Sequence, residues 1–393
     1  MPKARVAGVG MIPFSKPGQS EDWDVMAEQA IRLALADAGV SYDLVQQAYA
    51  GFVYADSTAG QSAIYRVGCT GIPIVNVNNN CSTGSTALYL ARQAIESGGV
   101  DCVLAVGFEQ MLPGALGAVF TDRKRPLDLH FNKVDEVLGA DDATPIVVRQ
   151  FGGAGLDYQQ RHGTQDEVFG MIAVKARAHA ANNPLALFRD PISLDEVMQS
   201  KPLYGPLTRF QACPPTCGAA AALLVSPRFA AKHGLDASVE ILGQAMTTDY
   251  AETWEGRSMM SVVGYEMTRE AARQVYEQTG VGPDDIPVVE LHDCFTTNEL
   301  ITYEGLGLCP EGGAEAYIRD GLNTYGGKHV TNPSGGLLSK GHPVGATGLA
   351  QCFELTRQLR GSAERRQVAD ARFALQHNLG LGGACVVTLY GRT

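Results

Sequence analysis

The sequence predicts an α/β fold in which one strand–helix–strand pattern is built twice. Three pairs of matching segments, met in the same order in each half of the chain, carry this reading. The first pair is "RVAGVGM" (Arg5 to Met11) and "EILGQAM" (Glu240 to Met246), both strand-like, with Gly8 over Gly243 and Met11 over Met246. The second is a pair of alanine-bearing helices closed by glycine: "AEQAIRLALADAGV" up to Gly39 and "AARQVYEQTGV" up to Gly280. The third is "CSTGSTAL" (Cys81 to Leu88) and "HPVGATGL" (His342 to Leu349), which share Gly, Thr and Leu at identical offsets. A strand, a helix and a second apolar strand imply a right-handed crossover in each half. "VVELHD" is the clearer of the two second strands.

The remaining elements follow in order. After Cys81, the residues Ala87, Ala91, Ala94 and Ile95 recur at helical spacing. From about Phe120 to Gly205 the strand alternation is lost, and "NNPLALFRDPISLDEVMQSKPLYGPLT" reads as a loop-rich insertion with short helices. "GAAAALLVSP" (Gly218 to Pro227) returns to a buried strand and completes the first half. The domain reading is therefore 1–119 plus 206–236 for one half, 120–205 for the insertion and 237–393 for the other half.

Bulk composition narrows the function. The 393 residues are 45% apolar and 19% charged, with 45 glycines, which describes a globular chain of roughly two or three domains. Asp and Glu outnumber Lys and Arg 42 to 31, a net charge of -11 that repels a phosphate backbone. The longest basic run, Arg123-Lys124-Arg125, reads as a solvated loop. No stretch approaches the roughly eighteen apolar residues of a membrane span. Nine singly scattered cysteines fit reduced thiols, and the opening and closing residues show neither an export signal nor a peroxisomal tripeptide. The expectation is a cytoplasmic, bacterial protein. Cys213-Pro-Pro-Thr-Cys217 is a close cysteine pair without further ligands nearby, so no metal site is expected.

Four segments carry chemistry. In "NVNNNCSTGSTALYLARQAI", Cys81 stands at the mouth of a helix, where unpaired N–H groups favour thiolate over thiol and make a nucleophile. "ELHDCFTTNEL" puts His292, Asp293 and Cys294 at the carboxyl end of a strand, the edge where α/β sheets bind ligands. A helix is expected from Thr296 or Thr297. In "NPSGGLLSKGHPVGATG", His342-Pro343 is read as a helix start with proline in the first turn, and His342 as the base for Cys81. "QHNLGLGGACVV" is a glycine hairpin able to offer N–H groups to an oxyanion, with Cys385 as core. Gly8-x-Gly10 lacks the third glycine and the immediate helix of a dinucleotide fingerprint.

These motifs resemble a known family. "GIPIVNVNNNCSTGSTALYLARQ", "VVELHDCFTTNELITYEGLGLCPEG", "NTYGGKHVTNPSGGLLSKGHPVGATGLAQC" and "ALQHNLGLGGA" are similar to thiolases of the sterol-carrier-protein-x type, over nearly the whole chain. His-Asp-Cys-Phe, where most thiolases have Asn-Glu-Ala-Phe, marks that branch. The resemblance implies a duplicated five-layered αβαβα core with an inserted loop domain, and a homodimer or homotetramer. It implies that Cys81 accepts the acyl group, that His342 activates it, and that Cys294 is the acid/base. His292 and His342 then line one oxyanion hole, and the N–H groups of Cys81 and Gly382 form the other. Other thiolases carry the acid/base cysteine where this chain has Gly380, and Cys294 supplies the missing thiol. Cys213, Ser334 and Gly335 are the expected substrate contacts. Cys217 stands where relatives usually have aspartate.

The implied reaction is cleavage of a 3-oxoacyl-CoA by coenzyme A, a co-substrate with no permanently bound cofactor. The products are a shortened acyl-CoA and acetyl-CoA, or propanoyl-CoA from a 2-methyl substrate, in fatty-acid or sterol side-chain degradation. The lipid-transfer domain of the animal form does not follow here, which leaves a lipid-transfer or other partner protein as a separate chain. Two alternatives stand beside this reading: a retro-aldolase-type lyase working with a partner protein, and a non-catalytic acyl-CoA or lipid binder.

Overall fold

The computed structural model describes residues 3–114, 120 and 122–393; the expected domain boundary at 119 lies outside them. Strands β1 (Arg5–Met11), β2 (Gln47–Gly51), β3 (Ile74–Val77), β4 (Cys102–Glu109) and β7 (Gly218–Val225) form one half. Between β4 and β7 the chain makes a small hairpin, β5 (Pro202–Tyr204) and β6 (Leu207–Thr208). Strands β8 (Val239–Thr247), β9 (Val288–Glu290), β10 (Val330–Thr331), β11 (Phe373–Gly380) and β12 (Ala384–Arg392) form the other half.

The strand order is β3-β2-β4-β7-β1 followed by β8-β12-β11-β9-β10, so each half is the mirror of the other in sequence. The parallel pairs β2/β3 and β2/β4 recur as β9/β10 and β9/β11. The antiparallel pairs β4/β7 and β7/β1 recur as β11/β12 and β12/β8. The halves meet through β1 and β8, with Arg5 opposite Glu240 and Val6 opposite Val239. The duplication read from the sequence is thus a duplication of topology.

Helices Trp23–Ala38 and Tyr265–Thr279 cover the outer faces, each stopped by a left-handed glycine, Gly39 (φ 66°) and Gly280 (φ 71°). Such a φ is costly for any residue with a Cβ, which explains glycine at both stops. Helices Thr83–Glu96 and Thr347–Arg360 lie between the halves, and their Leu88, Ala91, Leu349 and Leu355 are fully buried with Val103, Ala220 and Ala374. Each such leucine contributes about 2 kcal/mol by leaving water. Two outer cores, around Ala30 and Leu223 and around Ala271 and Val387, complete a helix–sheet–helix–sheet–helix stack. Gly8 belongs to this packing, since a Cβ there would stand 2.7 Å from the Ala38 Cβ.

The insertion holds more helix than its composition announced. Ile146–His162 and Asp166–Ala180 are long helices; Leu194–Gln199 is a short helix of the kind expected, and the β5–β6 hairpin was not expected. Gly152, Gly153 and Gly155 weaken the helical signal of the first helix. They also let it press on Tyr204, Leu138 and Pro206. A buried ion pair from Lys175 to Glu299 ties the second helix to helix Thr296–Gly305. The insertion is thereby fixed over the carboxyl ends of β9 and β11.

Candidate active site

Cys81 lies between β3 and its helix, in a turn where Asn80 takes a left-handed φ of 51°. Asparagine tolerates that conformation better than most residues. Two hydroxyls hold the turn: Ser82 Oγ donates to the Asn79 carbonyl at 2.9 Å, and Thr83 Oγ1 accepts from Asn79 N–H at 2.9 Å. Cys81 is buried, 4% exposed.

His342 is delivered by a wide helical turn, Gly336–Lys340, and by Gly341 with φ 117°. The Asp293 carboxylate accepts from Leu337 N–H (2.7 Å) and Leu338 N–H (3.3 Å), so the residue before Cys294 anchors the loop that carries His342. The helix after His342 begins at Thr347, not at His342-Pro343 as expected. The Pro343 carbonyl accepts from both Ala346 N–H and Thr347 N–H, closing a separate turn first. That turn sets the tautomer of His342. Thr347 Oγ1 gives its single proton to the Pro343 carbonyl (3.0 Å), so at 2.6 Å it accepts from His342 Nδ1–H. Nε2 is left as a buried lone pair with no partner among the described residues.

His292, at the end of β9, meets His342 edge to face, ring centroids 5.1 Å apart and planes at 84°. Its Nδ1 lies 3.1 Å from Asn378 Nδ2. The sulfur of Cys81 and one ring nitrogen of each histidine lie within 4.8 Å of one another. Across the site runs the strap Ala212–Cys217. Ala212 bridges Phe295, Cys213 N–H donates to the Cys294 carbonyl at 2.9 Å, and Pro215 bridges His342. Two consecutive prolines in the strap fix its backbone, a sequence signal of rigidity that composition alone did not connect to the site.

Cys81, Cys213, His292, Cys294 and His342 share one cavity of about 330 Å³. Its other walls are apolar: Met111, the helix start Pro145–Val148, Phe151, Phe295, Val344, Leu379 and Leu381. Phe151 and Phe295 stack at 4.8 Å. Two expected contacts are not brought here. The Ser334 hydroxyl is buried against Glu290 (2.7 Å) and Lys340 (2.8 Å), and Gly335 packs on Ala180. Gly382 sits in the turn between β11 and β12 with φ 95°, beside Leu127.

Burial decides the charge state. The Cys81 thiol is pushed up from 9.0 to about 12 by loss of water, with the nearby Glu109 charge adding to it; the N–H groups of Cys81 and Leu381 pull the other way. That rise corresponds to about 4 kcal/mol, against roughly 0.5–1 kcal/mol from a helix N-terminus. The thiolate expected from helix position is therefore overruled by burial. Burial also holds His342 down at about 3 and His292 well below its ordinary value, and raises Cys294. The group rests neutral, with the Cys81 thiol donating weakly to Asn80 Oδ1 at 3.7 Å and a ring nitrogen of His342 within 4.8 Å of the sulfur. Sequence reasoning missed Glu109, which accepts from Val53, Tyr54 and Gly345 N–H groups at 2.9 to 3.1 Å and joins the loop after β2 to the loop that carries His342.

Comparison with known proteins assigns the family. The description "Thiolase, N-terminal domain" matches residues 5–228, and "Thiolase C-terminal domain-like" matches 250–390. The chain belongs to the thiolase family. It is 54% identical to sterol carrier protein 2 of Oryctolagus cuniculus, over 99% of this chain and 72% of that protein. The Ltp2-ChsH2(DUF35) aldolase structure superposes with a TM-score of 0.83 at 26% identity, covering 99% of this chain and 98% of the other. Human mitochondrial 3-ketoacyl-CoA thiolase in complex with CoA shares the fold, with a TM-score of 0.75 at 18% identity over 100% and 98% of the two chains. The thiolase is an acyltransferase by family.

Proposed function

We propose that this thiolase cleaves 3-oxoacyl-CoA with coenzyme A through an acyl-Cys81 intermediate. The observation that carries the reading is the convergence of the Cys81 sulfur and ring nitrogens of His342 and His292 to within 4.8 Å of one another, in a cavity that also holds Cys294. Cys81 sulfur attacks the C3 carbonyl and its proton passes to His342 Nε2. The oxyanion is held by His292 and His342, or by the N–H groups of Cys81 and Gly382, according to the step. Each donor is worth about 3 kcal/mol of barrier. The C2–C3 bond then breaks, and the thioester enolate takes the Cys294 proton to leave as acetyl-CoA, or as propanoyl-CoA from a 2-methyl substrate. Coenzyme A attacks acyl-Cys81 and gives its proton to the Cys294 thiolate. His342 returns its proton to Cys81.

The apolar walls suit an acyl chain, and Cys213 suits a contact to the thioester arm. Ser334 and Gly335 have no support as contacts. The proposed role is degradative, on fatty or sterol side-chain substrates, and the name of the relative sterol carrier protein 2 supports a lipid-related substrate. A homodimer is supported by β3, an edge strand whose Val75 is 42% exposed.

The aldolase neighbour favours a second reading, retro-aldol cleavage with a partner chain. Retention of Cys81, Cys294 and His342 speaks for the first. Incubation with acetyl-CoA followed by intact-mass measurement separates them. Acetylation of the wild type and none of Cys81→Ala is expected, together with 3-oxoacyl-CoA cleavage that requires free coenzyme A. No adduct, with cleavage independent of coenzyme A, would overturn the thiolase reading.

A further inference from the structure

A run of buried hydrogen bonds leads to His292 from the opposite half of the molecule, and its polarity is fixed at one end. Gln376, on β11, places its amide nitrogen 2.7 Å from the Gly348 carbonyl and 2.7 Å from Ser85 Oγ. A carbonyl can only accept, so this end of Gln376 is the NH₂. Its oxygen accepts from Tyr390 OH, which agrees. Ser85 Oγ therefore accepts from Gln376 and spends its one proton on Asn378 Oδ1, at 2.8 Å. That fixes the Asn378 amide, whose NH₂ must then face His292 Nδ1 at 3.1 Å. All of these residues are fully buried, so water does not offer an alternative route.

We propose that Ser85, Gln376 and Asn378 act as positioning residues that lock His292 in the Nδ1-bare, Nε2–H tautomer. The inference rests on the thiolase reading for its catalytic meaning. His292 Nε2 has no partner among the described residues, and the ring lines the cavity, so its proton is presented to the substrate. The two histidines are thus opposite tautomers: His342 is locked by Thr347 with Nε2 bare, a proton acceptor, and His292 with Nε2 protonated, an oxyanion donor. A histidine offering N–H cannot offer that nitrogen to a metal, which argues against Cys81, His292 and His342 as a zinc site. Ser85 belongs to the helix that follows Cys81, and Gln376 and Asn378 to the other half. The relay therefore also registers the nucleophile's helix against the oxyanion donor.

The chain holds only eight histidines, so the tautomer is directly readable by ¹⁵N-histidine labelling and long-range ¹H–¹⁵N correlation. His292→Gln assigns the signal. In the substrate-free wild type at pH 7, His292 is expected protonated at Nε2 and bare at Nδ1. In Asn378→Asp the carboxylate accepts from Nδ1–H, so the pattern inverts, and kcat falls about 100-fold or more with KM little changed. Ser85→Ala removes the polarity without adding a charge; a mixed-tautomer signal and a smaller loss of kcat are expected. A wild-type His292 protonated at Nδ1, or an unaltered signal in both variants, would overturn the relay. The spectrum needs no turnover. A protein that shows the Nε2–H signal yet never thiolyses 3-oxoacyl-CoA would sink the thiolase reading alone, and an active enzyme with the other tautomer would sink the relay alone.

Discussion

Gly84 and Gly348, each the second residue of a central helix, face one another where the two halves of the molecule meet. A Cβ on Gly84 would lie 2.9 Å from the Gly345 carbonyl oxygen, and one on Gly348 would overlap the Ser85 backbone nitrogen. Backbone on both sides leaves nothing flexible to move. Gly348→Ala is expected to cost about 3 kcal/mol of stability through overpacking. It also pushes Ser85 from Asn378, so turnover drops at least tenfold. Urea unfolding and steady-state rates check this; two unchanged values would mean that the helices slide apart freely.

Cys294→Ala separates the two thiols by role. Its sulfur is buried beside Cys81 and Cys213 and held well above the ordinary thiol range, a neutral acid ready to donate. The acyl-enzyme on Cys81 should still form from acetyl-CoA, whereas thiolytic turnover falls by about 10²- to 10⁴-fold, the usual worth of a positioned acid/base. Intact mass and coenzyme A consumption measure the two steps. Full turnover would move the acid/base role to another group.

The charge state of the nucleophile is open to a pH profile. With Cys81 pushed up to about 12, the thiolate fraction of the free enzyme grows about tenfold per pH unit throughout the neutral range. Alkylation of Cys81 by iodoacetamide, followed by peptide mass spectrometry, should therefore rise log-linearly from pH 7 to 9. A plateau above pH 6 would restore the preformed thiolate that the helix position suggested.

The groups legible in the sequence were those whose spacing is local or repeated. Cys81 and His342 stood out because the same Gly-x-Thr-x-Leu pattern follows each at the same offset, and His292 and Cys294 because they follow the end of a strand. The partners that set their chemistry were hidden. Asn378 reaches His292 across 86 residues and Ser85 reaches Asn378 across 293, and a buried hydrogen bond leaves no period in a sequence. Burial also overrode local rules. The helix N-terminus near Cys81 is real, yet desolvation outweighs it several-fold. Ser334 looked like a ligand contact in a glycine-rich loop, but its hydroxyl is consumed by Glu290 and Lys340.

Glu109 offers a test of the buried electrostatics that sequence did not reveal. Burial raises its pKa from 4.5 to about 7, against the pull of its three N–H donors. Between those values the folded state holds a proton that the unfolded chain has lost. The associated stability is thus full below pH 4.5 and is lost as pH rises through 7, by about 3 kcal/mol in all. Glu109→Gln cannot titrate, and it also sets an NH₂ against a backbone N–H, so it is less stable at every pH. The gap between wild type and variant should narrow from pH 5 to pH 8 in urea titrations, because only the wild type loses stability on the way. Removing the carboxylate charge also eases ionisation of Cys81, so the variant should be alkylated faster at pH 8.5. A gap that stays constant or widens would mean that the three N–H donors keep Glu109 ionised throughout, and that its charge acts on Cys81 at every pH.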